Sequence, residues 1–154
     1  MYAMQKITPF LWFDNQAEEA VNFYLSIFAN SRIVNASRMG PDGPLITVTL
    51  ELEGQEFYLL NGGPQFKFTE AVSFFVKCET QEEIDEKWEK LSSGGKQKQC
   101  GWLEDKYGLS WQIIPPILGE LLQSKNPEKS KKVMNAMLQM TKINIQQLKD
   151  AYGD

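Results

Sequence analysis

Two kinds of hydrophobic spacing take turns along the chain, and they do so twice in the same order. Ile7 to Phe13 is a short apolar, aromatic run that predicts a strand. Asn15 stands three residues before Glu18, an arrangement that resembles a capping box. Ala17, Ala20, Val21, Tyr24, Leu25 and Phe28 then follow at helical spacing, and Asn30 with Ser31 ends that helix. Ile33–Met39, Ile46–Leu52 and Glu56–Leu60 read as strands. Gly40-Pro41-Asp42-Gly43-Pro44 joins the first pair of these strands, and Glu53-Gly54 makes a tight turn for the second. The order is β-α-β-β-β.

The second half repeats it. Ala71–Cys78 is an apolar strand, and Thr80 with Glu83 forms a capping box. Ile84, Trp88 and Leu91 mark a helix face that stops at Gly94-Gly95. A short edge strand is expected near Lys96–Gln99. Trp102–Asp105 and Leu109–Ile114 form a closing hairpin around Tyr107-Gly108. Displaced by 64 positions, Phe10 falls on Phe74, Glu18 on Glu82, Glu19 on Glu83 and Tyr24 on Trp88. Displaced by 54, Gly54 falls on Gly108, Phe57 on Trp111 and Leu59 on Ile113.

A helical tail follows Pro115-Pro116. Ile117–Leu122 reads as a short helix. Asn126 caps a second, with Pro127 at its first turn, and Asn144 begins a third with Gln147 three residues on. Val133, Met134, Met137, Leu138 and Met140 make an apolar stripe suited to packing on the sheet or a partner subunit. The expectation is one α+β domain over residues 1–154 with two tandem βαβββ modules. Module one covers about residues 5–62, module two about 70–115, and the tail about 116–154.

Composition narrows the setting. The 154 residues carry a net charge of −4, and the one basic cluster, Lys125 to Lys132, is interrupted by Glu128. Nucleic-acid binding needs a basic face, so it is excluded. Cys78 and Cys100 are the only cysteines and have no CxxC spacing. With no secretion signal evident, they point to a reducing, cytoplasmic setting without a disulfide framework. No stretch reaches the ~18 apolar residues of a membrane span. Nine Phe, five Tyr and four Trp supply rings for core or pocket.

Tandem βαβββ units are the arrangement of the vicinal-oxygen-chelate superfamily, which includes glyoxalases, bleomycin-resistance proteins and extradiol dioxygenases. Phe10-Leu11-Trp12-Phe13-Asp14, Ala17-Glu18-Glu19-Ala20 and Phe23-Tyr24 resemble the opening of its PhnB-like branch. Leu60-Asn61-Gly62-Gly63-Pro64, Phe66-Lys67-Phe68, Cys100-Gly101-Trp102-Leu103 and Tyr107 to Ile113 resemble other signature stretches, as does Val133 to Met140. The branch often carries the label 3-demethylubiquinone-9 3-methyltransferase. Methyl transfer of the common Rossmann type needs a glycine-rich turn between strand and helix. Gly62-Gly63-Pro64 leads instead to Phe66 and Phe68, and Gly94-Gly95 follows a helix.

The resemblance also implies a divalent metal held by His and Glu between the halves. This chain has no histidine. The implied ligand positions fall near Pro9, near Ser73 and on Gln112, none of which suits Zn²⁺, Ni²⁺ or Fe²⁺. No metal and no cofactor are therefore expected.

Strand alternation nominates Trp12, Tyr58, Asn61, Ser73, Phe75, Cys100, Trp102 and Gln112 to line a cavity with aromatic walls and few polar tips. Catalytic groups are scarce. No histidine is present to activate Cys100, and Glu18-Glu19 with Glu82-Glu83 suit first helical turns. Asp105 reads as a turn residue. The leading expectation is a metal-independent protein that binds a small aromatic or hydrophobic molecule. An enzyme acting on a quinone or carbonyl compound, and a structural or regulatory homodimer with a vestigial cavity, are the alternatives. A homodimer is implied by the resemblance in any case.

Overall fold

A computed structural model describes residues 5–153 of the chain. Chain contacts divide it into two compact units, one ending at Lys67 and the other beginning at Phe68. Each unit is built on a four-stranded mixed sheet.

The first unit contains β1 (Phe10–Phe13), α1 (Ala17–Ile27), β2 (Ser31–Arg38), β3 (Leu45–Leu52) and β4 (Gln55–Asn61). Its sheet order is β1-β4-β3-β2, with β1 parallel to β4 and the other pairs antiparallel. The apolar run at Ile7 starts pairing only at Phe10. Pro9 lacks an N–H for the ladder and contributes its carbonyl, which accepts from Tyr58 N at 2.9 Å. Leu11, Phe13, Val48, Leu50, Phe57 and Leu59 are buried beneath α1, whose own buried face is Ala17, Ala20, Val21, Tyr24 and Ile27. The turn at Glu53-Gly54 places both residues at positive φ, 50° and 84°, as a two-residue hairpin requires.

The start of α1 departs from the capping-box expectation. Asn15 does not cap it; Gln16 occupies the cap position and makes no side-chain bond. The free N–H of Ala17 instead donates to Asn61 Oδ1 at 2.8 Å, across from the end of β4. A tertiary partner thus satisfies a donor that a local cap would normally serve.

The second unit contains β5 (Ser73–Lys77), α2 (Gln81–Ser92), β6 (Lys96–Gln97), β7 (Trp102–Glu104) and β8 (Ser110–Ile114). Its order, β5-β8-β7-β6, repeats the first, with β5 parallel to β8. Thr80 caps α2 by accepting from Glu83 N at 3.1 Å, and Glu83 reaches back to Glu79 N at 2.9 Å. The box is the expected one, with its return bond displaced by one residue.

The internal repeat is real, but its register needs correction. Phe10 pairs with Tyr58, and Phe75 pairs with Gln112. Tyr58 and Gln112 correspond at the 54-residue displacement, so Phe10 corresponds to Phe75, not to Phe74. The helices keep the 64-residue displacement, from Ala17 to Gln81. The linker from strand to helix is one residue shorter in the second unit. A slip of one residue turns a strand side chain to the opposite face, so the match of Phe10 to Phe74 joined two faces that differ.

The tail forms α3 (Pro116–Leu122), α4 (Pro127–Leu138) and α5 (Ile145–Tyr152) within the second unit. Ile114, Leu118, Val133, Met140, Ile143 and Leu148 make its core. The expected stripe divides: Val133 and Met140 are buried, while Met134 and Leu138 are exposed. Gln81 fastens the tail to α2, donating to Ile143 O at 3.0 Å and accepting from Ile145 N at 2.8 Å. Among the described residues no helix is long and apolar enough to cross a membrane.

Candidate functional site

Each sheet has a helix-covered face and an open face, and strand alternation assigns side chains between them. On the first sheet Phe10, Trp12, Tyr58 and Leu60 share the open face. Phe10 is 57% exposed and Tyr58 36%, and their rings meet edge to face with centroids 5.4 Å apart. Trp12 is held firmly. Its indole N–H donates to Gly63 O at 2.9 Å, and Phe66 stands edge-on to it at 4.9 Å.

Trp12 explains the glycines of the Gly62-Gly63-Pro64 stretch. A Cβ on Gly62 would fall 2.3 Å from the Trp12 ring. Gly62 N and Gly63 N donate to Phe13 O and Asp14 O at 2.8 and 3.0 Å. The close approach that glycine permits here is taken up by the indole, and no helix follows to receive a phosphate or nucleotide. The residues present do not fit a methyl-donor cofactor at this turn.

On the second sheet Ser73, Phe75, Gln112 and Trp102 share the open face. Phe75 and Trp102 flank Gln112 in register on its two neighbouring strands. Gln112 Nε2 donates to Ser73 Oγ at 2.9 Å. Phe75 is 53% exposed, and Trp102 is half-buried. Ser110, paired with Ser73 in register, is buried, and its hydroxyl has no hydrogen-bond partner among the described residues. Nearby, Lys98 bonds both Glu70 at 2.6 Å and Glu104 at 2.9 Å. The hydrogen bond from Lys98 holds the Glu70 carboxyl below its ordinary range, and the two carboxylates hold the Lys98 ammonium above its own.

The metal ligands implied by resemblance do not fit these residues. Ser73 and Gln112 are neutral and already bonded to each other, and a neutral amide is a poor ligand for Zn²⁺ or Ni²⁺. Among the described residues no three His, Cys, Asp or Glu side chains group so as to hold a metal ion.

Other nominated residues have structural duties. Asn61 uses both ends of its amide, Oδ1 toward Ala17 N and Nδ2 toward Leu45 O at 3.2 Å. It lies in register with Phe13, a helix-face residue. Cys100 sits before β7 at a positive φ of 60°, followed by Gly101 at 82°. Their N–H groups donate to Met140 O and Thr141 O at 2.8 and 2.7 Å, so this bend anchors the tail. A Cβ on Gly101 would press within 2.6 Å of Ile114. Cys78 is fully buried, and burial above all pushes its thiol up to about 12. Such a thiol is no nucleophile near neutral pH.

Three features escaped the sequence. Phe10 stands two residues before Trp12, so alternation could have placed it on the open face. Phe66 follows a strand, where no periodicity applies. Asp105 occupies the expected turn, yet it is only 1% exposed. Its Oδ1 accepts from Tyr107 N and Leu109 N at 2.9 and 3.1 Å, and its Oδ2 from Trp111 Nε1 at 2.9 Å. The pattern is that of a buried turn anchor.

A family model described as 3-demethylubiquinone-9 3-methyltransferase matches residues 5–114, ending where the tail begins. A PhnB protein from Bacillus cereus is 43% identical, with a TM-score of 0.67; the match covers 72% of this chain and 99% of that one. A protein from Pseudomonas aeruginosa shares the fold at a TM-score of 0.63 and 15% identity, covering 73% of this chain and 98% of its own. The fosfomycin resistance protein FosX from Listeria monocytogenes, solved with Mn(II) and sulfate, shares it at 0.52 and 14% identity, over 74% and 91%. Among curated proteins there is no match. The fold and the 43% identity agree with the motifs read from the residues, and the chain belongs to the PhnB-like 3-demethylubiquinone-9 3-methyltransferase family.

Proposed function

We propose that this protein binds a small aromatic or hydrophobic molecule without a metal ion. The observation that carries the reading is the neutral Gln112–Ser73 pair, flanked by Phe75 and Trp102; the resemblance implies metal ligands on Gln112 and near Ser73, and neither side chain suits that role. The exposed rings of Phe10 and Tyr58 on the first sheet support it, since flat apolar ligands are held by aromatic walls with a few fixed polar tips. Methyl transfer, which the family name carries, gains no support from a glycine turn occupied by Trp12.

A thermal-shift screen of hydrophobic and quinone-like compounds tests the reading, which predicts stabilisation by at least one of them. A screen without a hit overturns it. Calorimetric titration with Zn²⁺, Ni²⁺ and Fe²⁺ tests the metal-free part, where stoichiometric binding at micromolar affinity is the contrary result.

The same reading includes a homodimer. Edge strand β2 supports it, with Ile33 and Val34 exposed along a strand paired on one side only. Light scattering on the purified protein at micromolar concentration reads the mass directly, and a monomer there removes this part.

A further inference from the structure

We infer that the open face of the second sheet selects a neutral aromatic molecule bearing an N–H donor next to a carbonyl acceptor, as in a lactam or carboxamide. This rests on the metal-free binding reading above and names the chemistry it would select.

The Gln112 side chain has more hydrogen-bonding capacity than the protein uses. A glutamine amide offers two N–H donors and one oxygen acceptor. Ser73 Oγ takes one of the two donors of Gln112, at 2.9 Å, and that bond fixes the plane of the amide. The second N–H and Oε1 have no protein partner among the described residues, and Gln112 is only partly buried. A half-buried amide that keeps one unmet donor and one unmet acceptor matches a group that carries a donor and an acceptor in reverse. A lactam N–H would donate to Oε1, and its carbonyl would accept from Nε2. The buried Ser110 hydroxyl, unpartnered on the strand next to Ser73, is a further polar group whose bonding is unmet in the protein alone.

Charge and shape agree with a neutral, flat ligand. Glu104 lies two residues beyond Trp102 on this face, and its carboxylate is matched by Lys98, which also holds Glu70. Lys77, two residues beyond Phe75, is exposed, where water screens its charge. Neither leaves a desolvated charge facing Gln112 to attract an anion or cation. Phe75 and Trp102, in register with Gln112 on either side, supply aromatic surface next to the amide edge.

The test uses three probes of similar size and the full chain. 2-Quinolone carries the donor and the acceptor, N-methyl-2-quinolone has lost the donor, and naphthalene has neither. Binding is followed by NMR shift changes at the Gln112 side-chain amide and the Trp102 indole. The expected result is 2-quinolone binding at least tenfold more tightly than N-methyl-2-quinolone, with that preference lost in Gln112→Leu and reduced in Ser73→Ala. The comparison of ligands on the unaltered protein stands even if a variant fails to fold. Equal binding of all three probes overturns this inference and leaves the aromatic-ligand reading standing. Absence of binding by all three, together with an empty thermal-shift screen, overturns both.

Discussion

Asp105 shows how much one residue can decide. Its two carboxylate oxygens receive three N–H groups in a site closed to water. Asp105→Asn replaces one oxygen with an NH₂ group. In either orientation of that amide a donor faces a donor, at Trp111 Nε1 or at the backbone of Tyr107 and Leu109. The expected cost is about 2 kcal/mol or more, read from urea denaturation. Gly62→Ala drives a methyl into the Trp12 ring and is expected to cost about 1–3 kcal/mol, with a shifted tryptophan emission as the sign that the indole has moved. Cys78 gives a pH prediction. Its thiol is protonated in folded and unfolded chains below about 9, and in the folded chain alone between about 9 and 12. Folding therefore opposes ionisation, and stability falls as pH rises from about 9 toward 12. Denaturation at pH 8 and at pH 10.5 should show a smaller loss in Cys78→Ala than in the parent.

Among the described elements, three of the five helices carry a local side-chain cap, α3 opens on Pro115-Pro116 without one, and α1 is served from a distance. Thr80, Asn126 and Asn144 each accept from backbone N–H groups within three residues, as their spacing indicated. Helix α1 takes its N-terminal bond from Asn61, 44 residues away. Asn61→Ala is expected to destabilise the first unit by about 0.5–2 kcal/mol, whereas Asn15→Ala should do almost nothing, since Asn15 is exposed and provides no cap. Comparison of the two melting curves decides between a local and a tertiary cap. Strand faces, like the α1 cap, depend on distant partners. Periodicity located β1 and β5, but the matched phenylalanines pointed to the wrong correspondence, because a period of two cannot reveal a one-residue change in the linker that follows.

For the molecule as a whole, the tail is the part that lies beyond the family match. It is built into the second unit at three places. Gln81 grips both sides of Asn144, Lys142 pairs with Asp85 at 2.9 Å, and the Cys100-Gly101 bend bonds Met140 and Thr141. Hydrogen bonds from Gln81 and Lys142 hold the Asp85 carboxyl below its ordinary value. That contribution is present above the ordinary carboxylate range and is lost as pH falls through the lowered value, and its exposure and salt screening keep it small. The apolar contacts matter more. Ile143 is fully buried among Ile114, Val133 and Leu148, so Ile143→Ala should cost about 2–4 kcal/mol. Hydrogen exchange should then quicken in α4, α5 and the Cys100-Gly101 bend, while the sheet of the first unit keeps its protection.

The element order, the paired modules, the three local caps, the family and the lack of histidine are all legible in the chain alone. These depend on near neighbours in the chain or on composition, and both can be read without coordinates. Folding in three dimensions was needed for Asn61 to hold a helix, for Cys100 to anchor the tail and for Trp12 to fill the space left by Gly62. It alone brought the Gln112 amide to the Ser73 hydroxyl, 39 residues apart in the chain. Side chains on strands acquire partners through register across the sheet, and register follows from pairing between distant segments that no local pattern encodes.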